Sequence, residues 1–181
     1  MLVVVDNGSV YTESILDFLK KTDITFEQLR FDKISIISLS KYSSIILSGR
    51  RQNNSKMNAI NAKIIKHAVE NQKPLLGICY GAEILALTLG GTIKKMEVPR
   101  QGIHKIDVIK DNPICTGKID AFESHSYMVA KLDSNFSQLA KSSKCEFEIF
   151  QLNNYNIFGT QFHPEMSEDG RILLGKFISI Q

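Results

Sequence analysis

A cysteine between two glycines, at the end of an apolar run, is the feature that most restricts how this chain can fold. The run Pro74–Ile78 is typical of a short buried strand, and Ala82–Leu89 has the composition of a helix. Gly77 and Gly81 lie two residues before and two residues after Cys79. Such spacing is needed where a strand turns into a helix so tightly that side chains do not fit. The pattern therefore predicts a strand–turn–helix unit with Cys79 in a strained backbone conformation.

The N-terminal half alternates between strand-like and helix-like segments. Strands are predicted at Leu2–Asp6, Ile24–Phe31, Ser44–Leu47 and Pro74–Ile78, and helices at Glu13–Lys21, Ser55–Glu70 and Ala82–Leu89. This alternation is typical of a parallel sheet with helices on its faces, whose functional loops follow the carboxyl ends of the strands. We expect Asp6-Asn7-Gly8, Ser48-Gly49 and Cys79 to lie together at that edge.

The pattern becomes β-rich from Thr92 onward. Strands are predicted at Gly102–Ile109, Ile119–Phe122, Tyr127–Ala130, Cys145–Gln151 and Asn156–Phe162, and a last helix at Asp169–Phe177. The chain is within the length of one domain. We predict a single α/β domain over residues 1–181, with an open, mostly parallel central sheet, helices on both faces as in flavodoxin-like folds, and a β-rich C-terminal half.

Charge, hydropathy and cysteine content argue against several classes of protein. The net charge of +3 is too small to indicate a nucleic acid or an anionic membrane as the main partner. The apolar runs are far shorter than the roughly 20 residues that cross a bilayer, and the N-terminus lacks the basic leader of a secretory signal. Three cysteines without a CxxC pair indicate neither a disulfide framework nor a zinc site. We expect a cytoplasmic protein with no bound metal.

Cys79 has two interpretations from its local sequence, an inert core thiol or a nucleophile. At the N-terminus of a helix the partial positive charge favours a thiolate. The backbone N–H of Tyr80 would then be free to donate to a developing oxyanion. Cys115 and Cys145 lack this setting, and we predict that both are structural.

A thiolate nucleophile needs a base, and the segment "NIFGTQFHPEMS" supplies a candidate. His163 follows a predicted strand, and Glu165 lies two residues further on, where its carboxylate can reach the far imidazole nitrogen and orient the ring. His67 lies in the middle of a predicted helix and His104 in a predicted strand, so both are weaker candidates. His125, in "FESHSYM", is predicted to be a loop residue.

Together, "GICYGAE" and "FGTQFHPE", 84 residues apart, resemble the motifs of class I glutamine amidotransferases. The segments "VVVDNG", "IILSG" and "ESHS" follow the same order as in that family, so the resemblance extends over essentially the whole chain. It implies that Cys79 attacks the side-chain amide of glutamine, that His163 is the general base and acid, and that Glu165 orients it. It also implies that ammonia passes to a synthetase.

The resemblance assigns further residues to the site. Ser48-Gly49 matches the family's "SGGP" loop, so the second oxyanion donor falls at Arg50. Ser124, His125 and Ser126 match the segment whose backbone binds the amino-acid end of glutamine. The chain departs from the family at Arg50-Arg51, where Gly-Pro is usual, and at Glu83, where glutamine is usual. We hypothesise that Glu83 pairs with one of the arginines, against the alternative that Arg50 points to solvent.

The chain has no nucleotide-binding glycine loop, so ATP and Mg²⁺ chemistry is expected on a partner synthetase and no cofactor is expected in this chain. The "ESH" segment resembles that of the glutaminase subunits of two-chain GMP synthases, although Tyr127-Met128 replace their usual acidic pair. This implies that the partner is the ATP pyrophosphatase subunit. The alternatives are a glutaminase subunit of anthranilate or aminodeoxychorismate synthase, a non-catalytic regulatory member, and a DJ-1-like cysteine hydrolase.

Overall fold

One sheet of nine strands forms the centre of the molecule, in a computed structural model that describes residues 1–180. The strands are β1 (Leu2–Asn7), β2 (Phe26–Arg30), β3 (Ser44–Arg50), β4 (Leu75–Ile78), β5 (Thr92–Val108), β6 (Lys118–Lys131), β7 (Phe136–Lys141), β8 (Ile149–Leu152) and β9 (Ile157–Thr160). The α-helices are α1 (Thr12–Leu19), α2 (Ser55–Glu70), α3 (Tyr80–Thr88) and α4 (Glu168–Ile178).

The sheet is mixed, and its two halves differ in strand direction. Its order is β2-β1-β3-β4-β9-β8-β7-β5-β6. From β2 to β9 all neighbouring strands are parallel, whereas every pairing from β9 to β6 is antiparallel. The predicted α/β class and the β-rich C-terminal half are confirmed.

Apolar side chains on both faces of the sheet form two cores. In β1, Leu2 and Val4 pack into one core while Val3 and Val5 pack into the other, as the two-residue period of a strand requires. Helices α1 and α4 cover the first face, and α2 and α3 cover the second. Helices on both faces are therefore confirmed, and they leave the ends of the parallel strands free for a site.

The largest correction concerns β6. The sequence predicts two strands with "ESHS" in a loop between them, but Lys118–Lys131 is one strand of 14 residues, so His125 is a strand residue. Its partner β5 is longer than predicted and begins at Thr92. Buried polar side chains in "ESHS" resemble a loop when the arginine that pairs with them across the sheet is not visible in the local sequence.

Strand β7 was also missed, since "FSQLAK" has only a short apolar alternation. Cys115 and Cys145 are buried and form no disulfide, consistent with a structural role. Within residues 1–180, no helix has the length and the apolar character needed to cross a bilayer.

Candidate active site

Cys79 lies at the junction of β4 and α3 in a strained conformation, with φ 51° and ψ −102°. Two close approaches explain the flanking glycines. A Cβ on Gly77 would lie 2.5 Å from the backbone of Gly81, and a Cβ on Gly81 would lie 2.4 Å from the carbonyl oxygen of Leu47. Backbone atoms cannot yield as a flexible side chain does, so only glycine fits at either position. The predicted strand–turn–helix unit is confirmed.

The junction also fixes which backbone groups face the cysteine. The Cys79 N–H donates to the carbonyl of Thr160 at 2.7 Å, which ties the turn to β9. Its carbonyl accepts from the N–H of Glu83 at 3.0 Å and begins α3. The N–H of Tyr80 belongs to the first turn of the helix, where backbone donors have no partner within the helix.

His163 and Glu165 form a buried pair just after β9. The imidazole Nδ1 lies 2.8 Å from the Glu165 Oε1, as the spacing of the two residues predicted. The His163 N–H donates to the carbonyl of Phe122 in β6 at 2.8 Å, which holds the backbone of the histidine against the sheet. Gly49 leaves room for the ring, since a Cβ there would lie 3.0 Å from the imidazole Cε1.

The electrostatic state of His163 links it to the cysteine. Burial of the imidazole opposes its charge, but the negative charge of Cys79, a hydrogen bond with that sulfur and the Glu165 carboxylate together raise the pKa of His163 to about 10. The ring is therefore cationic at neutral pH beside an anionic sulfur. This is the ion pair that a cysteine nucleophile and its acid–base partner form.

Two adjoining cavities bring the predicted residues together. One, of about 300 Å³, is lined by Arg50, Arg51, Asn53, Cys79, Tyr80, Glu83, Ser124, His125, Ser126 and Tyr127. The other, of about 380 Å³, is lined by Ser9, Val10, Tyr11, Arg50, Arg51, Ser124 and His163. Gly49 and Glu165 lie behind these surfaces, against the His163 ring. A small polar substrate would thus contact the cysteine, the helix N-terminus and the middle of β6.

Arg50 and Glu83, the two departures from the family pattern, lie together. Arg50 Nη2 is 3.8 Å from Glu83 Oε2, and its side chain is 19% exposed. The guanidinium stacks over the Tyr80 ring at 4.2 Å, so it does not simply point to solvent. Burial raises the pKa of Glu83, and Arg50 counteracts this shift. The hypothesised pairing with Arg50 is confirmed.

Tyr11 is a residue of the site that the sequence analysis missed. Its ring packs edge-on against the His163 ring, with centroids 4.6 Å apart. Its hydroxyl lies 3.2 Å from Ser124 Oγ, which in turn donates to Gln101 Oε1 at 2.9 Å. The only signal in the sequence was its place just after the predicted strand-end loop at Asp6-Asn7-Gly8.

Comparison with known families gives one match to almost the whole chain. A family model described as glutamine amidotransferase class-I matches residues 3–177. The matching subunit of a two-chain, glutamine-hydrolyzing GMP synthase of Pyrococcus furiosus is 31% identical, over 99% of this chain and 98% of the relative. A glutamine-hydrolyzing GMP synthase of Thermosipho melanesiensis is also 31% identical, but the match covers 98% of this chain and only 35% of that larger protein.

Solved structures agree with this match. The crystal structure of a GMP synthase subunit from Thermoplasma acidophilum superposes with a TM-score of 0.89 at 28% identity, over 99% of this chain and 92% of that one. A glutamine amidotransferase from Thermotoga maritima superposes with a TM-score of 0.79 at 18% identity, over 96% of this chain and 80% of that one, which is a likeness of fold.

Proposed function

The chain belongs to the class-I glutamine amidotransferase family, and on that premise we propose that it hydrolyses glutamine to glutamate and ammonia through a thioester on Cys79. The observation that carries the proposal is the strained Cys79 at the N-terminus of α3, facing a cationic His163 that is oriented by Glu165. A sulfur anion, a proton donor and helix N–H groups are the three parts that acyl transfer from an amide requires.

In the first half of the reaction, the Cys79 sulfur adds to the side-chain carbonyl carbon of glutamine. The negative charge that develops on oxygen would be stabilised by the N–H groups of Tyr80 and Arg50. The imidazolium of His163 then gives its proton to the leaving amide nitrogen. The carbon–nitrogen bond breaks, ammonia leaves, and a thioester remains on Cys79.

In the second half, neutral His163 takes a proton from water and the resulting hydroxide adds to the thioester carbonyl. The carbon–sulfur bond breaks, glutamate is released, and the thiolate–imidazolium pair is restored. Glu165 binds Nδ1 throughout and stabilises each cationic form of the ring. We assign Ser124, His125 and Ser126 to the amino-acid end of the substrate, because they line the cavity that contains Cys79.

We further propose that the ammonia is used by a separate synthetase, the ATP pyrophosphatase subunit of a two-chain GMP synthase, to convert XMP to GMP. The similarity to glutamine-hydrolyzing subunits of GMP synthase over nearly the full length of both chains supports this choice. ATP and Mg²⁺ would bind to that synthetase, and a cytoplasmic location follows from the pathway.

Reaction with 6-diazo-5-oxo-L-norleucine, an electrophilic analogue of glutamine, tests the glutaminase proposal. Mass spectrometry should find one adduct per chain, on Cys79, and none in Cys79→Ala. The variants Cys115→Ala and Cys145→Ala are matched controls that should be labelled like the wild type, since both thiols are buried away from the cavities. An unlabelled Cys79, even with the synthetase present, would favour a non-catalytic regulatory member.

The acceptor is tested separately with the ATP pyrophosphatase subunit of the same organism, XMP, ATP, Mg²⁺ and glutamine labelled with ¹⁵N in its amide. We expect ¹⁵N in the GMP formed, and no GMP from glutamine with Cys79→Ala, although added ammonia should still support the synthetase. Glutaminase labelling without ¹⁵N-labelled GMP would leave the family reaction intact and redirect the search to anthranilate or aminodeoxychorismate synthesis.

A further inference from the structure

A buried ion pair lies directly behind the cavity, on the two strands β5 and β6. Arg100 Nε is 2.5 Å from Glu123 Oε2, and its Nη2 donates to Glu123 Oε1 at 2.7 Å. The Glu123 side chain has no solvent exposure. Neither residue lines the 300 Å³ cavity, so neither contacts a substrate bound there.

The pair is connected to the cavity through His125. The same Glu123 Oε2 lies 3.0 Å from His125 Nε2, while His125 Nδ1 lies 2.8 Å from the carbonyl oxygen of Tyr127. With both ring nitrogens engaged, the imidazole cannot rotate without losing a contact. His125 lines the cavity beside Cys79, and its neighbours Ser124 and Ser126 line it on either side.

A second carboxyl explains why Arg100 is needed. Glu148 is fully buried, and neither of its oxygens has a hydrogen-bond partner within the described residues. Burial and the charge of Glu123 raise the pKa of Glu148 to about 7. Burial opposes the ionisation of Glu123 too, but hydrogen bonds with His125 and Arg100 lower its pKa. Arg100 thus helps to keep the negative charge on the carboxyl that binds His125.

We propose that Arg100 and Glu123 are positioning residues for glutamine recognition, which fix His125 and with it the segment Ser124–Ser126 against the Cys79 cavity. This inference rests on the proposed function, because it takes that segment as the site of the amino-acid end of glutamine. It separates two properties of the site. The reactivity of the sulfur depends on α3 and His163, whereas selection of an amino-acid substrate depends on the buried pair.

Two electrophiles measure these properties separately in the intact chain. Iodoacetamide reports the reactivity of Cys79 without needing amino-acid recognition, and 6-diazo-5-oxo-L-norleucine requires both. In Glu123→Gln and Arg100→Met we expect the second-order rate with the diazo analogue to fall about 10- to 100-fold, as displaced substrate-positioning groups cause. The loss should appear in the half-saturating concentration. The rate with iodoacetamide should stay within about 2-fold of the wild type, since the sulfur itself is untouched.

The chain offers a matched control on the same two strands. Lys105 and Asp120 form a cross-strand ion pair at 3.9 Å, but both side chains are largely exposed. Lys105→Met and Asp120→Asn should therefore leave both rates unchanged. Arg100→Lys keeps the positive charge but loses the two-pronged contact, and it should show an intermediate loss with the diazo analogue alone. This milder variant also provides the measurement if Glu123→Gln does not fold.

Three outcomes would overturn the positioning role. The first is an unchanged diazo rate in Glu123→Gln or Arg100→Lys. The second is a parallel fall with both electrophiles, which would mean that the pair only supports the fold. The third is a wild-type Cys79 that shows no preference for the diazo analogue over its Cys115 and Cys145 neighbours. That result alone would also remove the proposed function, so the two failures can be told apart.

Discussion

The two sides of the cavity are built in different ways. On the elbow side, formed by Gly77–Glu83 with His163, the position of Cys79 follows from backbone atoms in close contact. On the hairpin side, formed by β5 and β6, the position of His125 depends on buried charges that belong to residues 23 positions apart, Arg100 and Glu123. Steric contact is insensitive to pH and salt, whereas a buried pair depends on which carboxyl holds a proton. The elbow side should therefore respond to changes of volume, and the hairpin side to changes of charge.

The largest effect is expected at Glu165, where charge matters on the elbow side as well. Glu165→Gln keeps the shape but removes the anion that faces His163 Nδ1 at 2.8 Å. We expect the glutaminase kcat to fall by about 10²- to 10⁴-fold, the range for loss of the orienting carboxylate in such triads. Glu168→Gln, an exposed neighbour, is the control. A loss of less than about 5-fold would mean that His163 does not need this carboxylate.

Gly81→Ala tests the steric basis of the elbow. Its new Cβ would lie 2.4 Å from a backbone oxygen that cannot move aside, so we expect the free energy of unfolding to fall by roughly 3 kcal/mol. Gly175→Ala in α4 is the matched control. There the nearest atom is 3.8 Å away, and alanine should stabilise the helix by about 0.5–1 kcal/mol. Chemical denaturation of both variants gives the comparison, and equal effects would refute the steric account.

Glu148 tests the charge dependence of the hairpin side. Its pKa is raised from 4.5 to about 7, so between these values the native state keeps a proton that the unfolded chain releases. Its contribution to the free energy of unfolding therefore decreases as pH rises through that window. Glu148→Gln should remove this decrease and stabilise the protein at pH 8, relative to its effect at pH 5, by on the order of 1–3 kcal/mol.

Denaturation at both pH values measures this difference, with the exposed Glu146→Gln as control. The charged and titratable groups that act on Glu148 are Glu123, His125 and Arg100. If Glu148→Gln and Glu146→Gln show the same pH dependence, the buried carboxyl carries no excess proton and the contrast between the two sides weakens.

The smallest effect is expected at the junction of the two sides, between Arg50 and Glu83. At 3.8 Å and mostly buried, this pair should show a coupling of about 1 kcal/mol in a double-mutant cycle on glutaminase rate. The variants are Arg50→Met, Glu83→Gln and their combination. The exposed pair Lys118 and Asp107 should show no measurable coupling in the same assay. Additive effects at Arg50 and Glu83 would mean that the two departures from the family arose independently.

The elbow could be predicted from sequence because its cause is local. Two glycines around Cys79 between an apolar run and a helix leave one arrangement, and the two-residue spacing of His163 and Glu165 leaves one contact. Helix α2 was predicted at its observed bounds, Ser55–Glu70, for the same reason, since its apolar positions follow the helical period.

The hairpin side could not be predicted, because its cause is not local. "ESHS" contains a charged and a polar residue that are buried only because Arg100 lies across the sheet from His125. The register of β5 and β6 shifts between Lys95 and Arg100, and no pattern in the sequence signals that irregularity. The partner of Arg50 could be proposed from the sequence, but its stacking on Tyr80 could not.

The sequence by itself determined the α/β class, the strained cysteine, and the histidine with its carboxylate, because each depends on residues within one turn or one element. Only the tertiary structure decided that β6 is continuous, that Tyr11 packs on His163, and that Arg100 and Glu123 lie behind the cavity. These contacts join residues far apart in the chain, and their energies depend on burial, which exists only after the strands have paired.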